Sequence, residues 1–270
     1  MSRFLLSCTT CSTRIPYKDE ILECFKHAPM GGYKAWGVAG PVFWTPGVAN
    51  WADIDRIKAS AVGVGLKTCT EVYGPTFPTN SVSDARSAAN YMVHLFDAAQ
   101  KLNSPLVVIT GGRRTPEGIQ ATIEGIKELL LFIQSRPIRL ALEPHFGSQI
   151  MYTEDYDAIF AEIVSPQVGI TLDSGHLHSA SVDWLGLIRK YPERIYNFHV
   201  KDHVGTQSVS LGTGEVDLRG YIRELHAIDY EGALAVELEV KDPENLPKYC
   251  ADAYLYLRAL VKDVTGRYPE

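Results

Sequence analysis

The sequence Val168-Gly-Ile-Thr-Leu-Asp-Ser-Gly-His176 decides how the fold is interpreted. Its first five residues are typical of a buried strand, which stops at Asp173 before Ser174 and Gly175 turn the chain. His176 follows three residues after the aspartate. A carboxylate and an imidazole at the end of one strand can bind a metal or act as an acid and a base. The stretch therefore predicts a strand that delivers functional groups at its C-terminal end.

Predicted strands and helices alternate from one end of the chain to the other. The residues between 84 and 102, for example, carry apolar side chains at helical spacing. Eight strands are predicted: Arg3–Cys8, Tyr33–Val38, Leu66–Glu71, Leu106–Thr110, Ile138–Glu143, Val168–Asp173, Arg194–Lys201 and Gly232–Glu239. Strict alternation implies a parallel sheet, and eight such units indicate an α/β (β/α)₈ TIM barrel with its active site at the C-terminal strand ends. An open doubly wound sheet is the alternative, but no GxGxxG follows the first strand.

Length and composition narrow the class of protein. The 270 residues show no linker or shift in composition, so one barrel domain over residues 1–270 is expected. A net charge of −6 and a pI near 5.8 argue against nucleic-acid or membrane partners. The short apolar run at the N-terminus does not predict a signal peptide, and the five scattered cysteines predict free thiols and a cytoplasmic protein. The sequence leaves open whether the chain forms a homo-oligomer.

Alternation of side chains in the last four strands brings four ionisable residues together. One face of each strand is large and apolar, as a helix-covered outer wall requires, and the other face is small or polar. The outer face of the seventh strand is assigned Tyr196, Phe198 and Val200. Toward the C-terminal ends of the strands, the inner faces carry Glu143, Asp173, His199 and Glu237. Because catalytic residues of barrel enzymes lie at these strand ends, the four side chains are expected to converge.

Four buried ionisable groups would be costly without a shared partner. Three carboxylates would repel one another and raise their pKa values, and a divalent cation would remove that repulsion. Oxygen donors with one imidazole suit Mn²⁺, Mg²⁺, Co²⁺ or Zn²⁺. The alternative is a lining of ion pairs, in which Lys201 and an arginine neutralise the acids.

Five motifs resemble a known family, in its order and on its strands. They are Leu140-Ala-Leu-Glu-Pro144, Thr171-Leu-Asp-Ser-Gly-His176, Phe198-His-Val-Lys-Asp202, Leu211-Gly-Thr-Gly-Glu215 and Ala235-Val-Glu237. The chain resembles the sugar phosphate isomerase/epimerase family of the xylose-isomerase-like barrels. The resemblance implies that Glu143, Asp173, His199 and Glu237 bind one divalent metal ion, with Mn²⁺ favoured. It also implies that Glu143 and Glu237 exchange substrate protons and that His176 contacts the substrate.

Departures from the family pattern keep a second activity open. Tagatose and psicose 3-epimerases usually carry an arginine where this chain has Gly205. His145, two residues after Glu143, is similar to a histidine of the barrel dehydratases that act on inosose or 3-dehydroshikimate. His145 and Lys201 are therefore further candidates for contacts with substrate. The related three-zinc endonucleases need additional histidines from the earlier strands, whereas the tips of the second to fourth strands offer Trp36, Glu71 and Thr110.

The predicted activity is a metal-dependent isomerisation or epimerisation of a keto-sugar or related polyol. A base removes the proton next to a carbonyl, and the cation stabilises the resulting enediolate. The alternative is a dehydratase of a cyclic keto-polyol, with His145 or His176 as the acid for the leaving hydroxyl. The substrate itself depends on loops, including Gly40–Val48 with its aromatic residues, ahead of a helix that Asn50 is expected to cap.

Overall fold

The computed structural model describes residues 3–15, 18–38 and 53–270, and it shows a closed barrel of eight parallel strands. The barrel strands are β1 (Arg3–Thr9), β2 (Ala35–Val38), β3 (Thr68–Tyr73), β4 (Leu106–Thr110), β5 (Arg139–Glu143), β6 (Val168–Asp173), β7 (Ile195–Val200) and β10 (Glu231–Val236). Their order around the barrel is β1-β10-β7-β6-β5-β4-β3-β2. A two-stranded antiparallel hairpin, β8 (Asp202–Val204) and β9 (Gln207–Val209), follows β7. The predicted (β/α)₈ TIM barrel is confirmed.

Helices connect the strands. They are α1 (Glu20–Gly31), α2 (Ile54–Gly63), α3 (Val82–Leu102), α4 (Gly118–Ile133), α5 (Thr153–Glu162), α6 (Ser174–Ser179), α7 (Trp184–Lys190), α8 (Leu218–Ala227) and α9 (Leu246–Thr265). Short 3₁₀ helices lie at Thr10–Thr13 and Pro192–Arg194. The caps follow from the sequence: Asp19 accepts from the first backbone amides of α1, and Gly32 ends that helix at φ 109°. The helix expected to begin at Asn50 is observed from Ile54, and Asn50 and the loop Gly40–Val48 lie outside the described residues.

The strand faces follow the alternation that the sequence predicts, with one exception. Phe198 packs outward, with its ring stacked on Tyr221 of α8 at 4.9 Å between centroids. Tyr196 was assigned to the same outer face, and that prediction is wrong. The pairing of β6 with β7 shifts register between Ile170 and Thr171, and Tyr196 joins Ala141 in a separate buried cluster. An extra residue in a ladder turns the next side chain to the other face, and the motif itself gives no sign of that bulge.

Two elements after the site strands were not predicted. Asp202 organises the chain after β7 into the β8–β9 hairpin and the turn that follows. Its carboxylate accepts hydrogen bonds from the backbone amides of Gly212 and Gly214, both at 2.9 Å. Helix α6 begins immediately at the end of β6, where only a turn was expected. Among the residues that the structure describes, no helix is long and apolar enough to cross a membrane.

Candidate metal centre and surrounding cleft

Four side chains from consecutive strands converge at the C-terminal end of the barrel. Glu143 and Asp173 are the last residues of β5 and β6, and His199 is the penultimate residue of β7. Glu237 follows β10, and its backbone amide bonds to the carbonyl of Val200 at 3.2 Å. One potential ligand atom from each of the four residues lies within 4.8 Å of those of the other three. All four are at most 5% exposed, so they form a buried and preformed cluster.

The His199 ring has a different carboxylate on each nitrogen. Its Nδ1 faces the cluster, hydrogen-bonded to Glu143 Oε1 and 3.3 Å from Glu237 Oε2. Its Nε2 points away from the cluster and lies 2.8 Å from Oε2 of Glu71, a fully buried residue of β3. Burial lowers the pKa of His199, but Glu71, Glu237 and Glu143 outweigh it and raise that pKa well above its usual value. The ring therefore has one nitrogen for the cluster and one for Glu71.

Asp173 divides its two oxygens between the fold and the cluster. Oδ1 accepts the backbone amide of His176 at 2.7 Å and so caps α6. Oδ2 is buried, accepts no hydrogen bond among the described residues, and lies 3.2 Å from Lys201 Nζ and 3.9 Å from His199 Nδ1. A buried carboxylate oxygen that accepts no hydrogen bond is costly unless it coordinates a cation, so Oδ2 fits a metal ligand.

Lys201 lies in the cluster as well. Its ammonium is 2.9 Å from Glu237 Oε2 and 2.8 Å from Glu239 Oε2. Burial lowers the pKa of Lys201, but Asp173 and the two glutamates outweigh it and raise that pKa well above the usual value. The pKa of Glu237 moves in the opposite direction. Burial raises it, but Lys201 and His199 outweigh burial and hold it well below the usual range. The ion-paired lining is thus present, and it includes the arginine Arg14, 3.6 Å from Glu239 Oε1.

These ion pairs do not use up the negative charge of the cluster. Lys201 is shared among three carboxylates, and Arg14 also pairs with Glu20 at 2.7 Å. Glu143 accepts hydrogen bonds from the Tyr73 hydroxyl and the His199 ring, and no lysine or arginine pairs with it among the described residues. A site for a hard or borderline divalent cation has mostly oxygen donors, can include an imidazole nitrogen, and carries excess negative charge. This cluster has all three properties. The residues present therefore fit the predicted metal.

Ser174 and Gly175 place Lys201 and the neighbouring loop. The Ser174 hydroxyl donates to the Lys201 carbonyl at 2.7 Å and accepts from the Lys201 amide at 2.8 Å. A Cβ atom on Gly175 would lie 2.5 Å from Nε2 of the His203 ring, so a glycine is needed there. Through these contacts, Ser174 and Gly175 pack the end of β6 against the segment that follows β7.

A cleft of about 200 Å³ opens above the cluster. It is lined by Glu143, Glu237 and all three residues predicted to contact substrate: His145, His176 and Lys201. The rings of His145 and His176 lie 4.0 Å apart between centroids. Burial, together with Lys201 and His145, lowers the pKa of His176 to about 3, so this imidazole is neutral near pH 7. The structure therefore places every predicted site residue in the cluster or on its cleft.

Four site residues were not predicted. Tyr73 donates its hydroxyl to Glu143 Oε2 at 2.5 Å, and Cys11 donates its thiol to Glu237 Oε1 at 2.7 Å. Glu71 was expected to end the third strand, but β3 continues to Tyr73, and the Glu71 carboxylate lies deeper in the barrel. Arg14, the fourth, follows the 3₁₀ helix after β1. Alternation applied to β3 would have put Glu71 and Tyr73 on one inner face, whereas nothing in the sequence signals Cys11 or Arg14.

Comparisons with known proteins agree with the observed barrel fold. The family model described as "Xylose isomerase-like TIM barrel" matches residues 32–260. An inosose dehydratase of Geobacillus thermodenitrificans is 27% identical over 165 residues, which cover 53% of this chain and 55% of that protein. The chain thus matches about half the length of this curated relative.

Two solved structures have the same fold. A D-tagatose 3-epimerase-like protein gives a TM-score of 0.78 at 16% identity, with 98% of each chain covered. An IOLI protein with a bound zinc atom gives a TM-score of 0.77 at 16% identity, with 98% of this chain and 100% of that chain covered. At this identity, the likeness establishes the fold.

Proposed function

The chain belongs to the xylose isomerase-like TIM barrel family, and from that premise we propose that it is a divalent-metal-dependent isomerase or epimerase of a keto-sugar or related polyol. The proposed ligands are Glu143, Asp173, His199 and Glu237, whose ligand atoms cluster within 4.8 Å. Mn²⁺ is the first cation to test, followed by Mg²⁺, Co²⁺ and Zn²⁺. A cation held there would supply electrostatic stabilisation for the charge that develops on a substrate oxygen.

The pair of anchored glutamates carries this proposal. Glu143 and Glu237 lie on either side of Asp173 and His199 in the strand order, and both line the cleft. Each has one oxygen fixed by a side-chain donor, Tyr73 for Glu143 and Cys11 for Glu237. Two fixed carboxylates that reach one cleft from different strands can remove a proton from one face of a carbon and return one to the other face.

The proton transfers balance once water returns the two glutamates to their starting protonation states. One glutamate takes the proton from the carbon next to the substrate carbonyl, and the electron pair of that C–H bond forms the enolate. For epimerisation, the second glutamate, in its protonated form, returns a proton to the same carbon. For isomerisation, it protonates the neighbouring carbonyl carbon, and the hydroxyl proton of the carbon that was deprotonated moves to the former carbonyl oxygen. Lys201 and His176, both on the cleft, are proposed to orient substrate hydroxyls.

A dehydratase of a cyclic keto-polyol is the second candidate, and two observations favour it. The curated relatives are inosose dehydratases, and a pair of histidines borders the cleft. In this reaction a glutamate removes the proton next to the carbonyl, the bond to the β-hydroxyl breaks, and an acid protonates the hydroxide to release water. Because the pKa of His176 is about 3, His145 is the proposed acid.

Solvent deuterium separates the two reactions. The protein would be incubated in D₂O with Mn²⁺ and either free keto-sugars or inosose, and the mixture followed by NMR and ultraviolet absorbance. Deuterium at a carbinol carbon without loss of water supports epimerisation. An enone absorbance without exchange into recovered substrate supports dehydration and contradicts the first proposal. The variant Glu237→Gln is the matched control, since it keeps the shape of the side chain and is expected to abolish either reaction.

A further inference from the structure

A buried carboxylate lies behind the His199 ring, on the side away from the metal cluster. Glu71 Oε2 is 2.8 Å from His199 Nε2 and accepts a second hydrogen bond from Asn197 Nδ2 at 2.5 Å. Asn197 and His199 are two residues apart on the inner face of β7, and Glu71 reaches them from β3 through the barrel interior. Glu71 is 0% exposed, so both of these donors hold its carboxylate in a fixed place.

The direction of the His199 ring determines what this carboxylate can do. A ring that offers the Nδ1 lone pair to a cation must carry its proton on Nε2, and a carboxylate that accepts that proton fixes both the tautomer and the ring angle. We propose that Glu71 is a positioning residue that holds His199 ready to bind the divalent cation through Nδ1. This proposal rests on the metal function proposed above.

Gly37 supplies an independent sign that the place of Glu71 is fixed. This glycine of β2 packs against the Glu71 side chain, and a Cβ atom built on it would lie 2.6 Å from Glu71 Oε1 and 2.8 Å from Cγ. Glu71 Oε1 accepts no hydrogen bond among the described residues. The carboxylate is thus bonded only on the side of Asn197 and His199, and β2 leaves room for it on the other side.

Two other roles fit the geometry of Glu71 less well. As a ligand, it would need to share the cation with the cluster, but the imidazole ring stands between it and the other carboxylates. As a base, it would need access to substrate, but the residues that line the cleft in the described part of the chain do not include it. A positioning role uses only the two hydrogen bonds that are observed.

The test measures cation affinity separately from catalysis. Mn²⁺ binding to the metal-free protein would be measured by calorimetry for the wild type, Glu71→Ala, Glu71→Gln and Gly37→Ala. Loss of such a partner is expected to weaken affinity about 10–100-fold, with Glu71→Ala most affected. Glu71→Gln is expected to retain part of the affinity, because its amide oxygen can still accept both hydrogen bonds. Gly37→Ala is expected to weaken binding by displacing an intact Glu71.

Controls distinguish positioning from general damage to the fold. Asp155→Asn removes another buried carboxylate, 6% exposed, which bonds to Arg114 and to the backbone amides of Met151 and Tyr152 and to no site residue. Its Mn²⁺ affinity is expected to stay within about twofold of wild type. The visible spectrum of bound Co²⁺ should change in the Glu71 variants and not in Asp155→Asn. Unchanged Mn²⁺ affinity in folded Glu71→Gln and Gly37→Ala would overturn the proposal, whether or not Glu71→Ala folds. A wild-type protein that binds none of these cations would overturn the proposed function as well.

Discussion

Replacing Ser174 with alanine tests how the end of β6 supports the site. Ser174 Oγ bonds to both the carbonyl and the amide of Lys201, at 2.7 and 2.8 Å, and both residues are buried. Removing the hydroxyl leaves these two buried backbone groups without their partner. Each group that forms no replacement hydrogen bond destabilises the fold by roughly 1–3 kcal/mol. Allowing for partial relaxation, we expect Ser174→Ala to lower the free energy of unfolding by about 2–4 kcal/mol.

The assay for this prediction is thermal unfolding of the metal-free protein. For a chain of this size, about 2–4 kcal/mol corresponds to a Tm lower by roughly 5–15 °C. Ser179→Ala is the matched control, because its hydroxyl bonds at 2.9 Å to the side chain of His203 and to no site residue. A Tm for Ser174→Ala equal to that of Ser179→Ala would refute the reasoning that Ser174 anchors Lys201.

Two further substitutions test other contacts. Tyr73→Phe removes the hydroxyl that holds Glu143. We expect kcat to fall about 10-fold, which corresponds to the loss of one hydrogen bond to a charged group. Mn²⁺ affinity is expected to stay within about threefold of wild type. Unchanged kcat in steady-state assays would show that the phenol does not position this base. Gly175→Ala puts a Cβ atom 2.5 Å from the His203 ring, and we expect a loss of about 1–3 kcal/mol of stability in denaturant titration. A stability equal to wild type would mean that the ring moves aside freely.

Regular alternation explains why much of the site could be predicted from the sequence. Glu143 and Asp173 end the inner faces of β5 and β6, and Glu237 follows β10 on the same inner face, so the period of two alone brings the three acidic residues together. His199 follows the same rule despite the register shift earlier in β7. The shift lies before Asn197, so the side chains from Asn197 onward alternate as predicted.

Other parts of the site depend on tertiary contacts that no local pattern encodes. Cys11 reaches Glu237 because β1 pairs with β10, although the two residues are 226 positions apart in the sequence. The β8–β9 hairpin contains no strongly apolar run, and the buried carboxylate of Asp202 organises it instead. Glu71 was interpreted as a strand end because its strand was predicted to end two residues earlier than observed.

We propose that the cluster of Glu143, Asp173, His199 and Glu237 holds a divalent cation on which proton abstraction depends. The most direct test measures bound Mn²⁺ per chain by equilibrium dialysis, together with deuterium exchange into substrate, before and after exhaustive chelation. We expect about one Mn²⁺ per chain in the wild type, no exchange after chelation, and recovery when Mn²⁺ is restored. Asp173→Asn is expected to lose both binding and exchange. Exchange that continues at the wild-type rate in fully chelated protein would contradict this dependence on the cation.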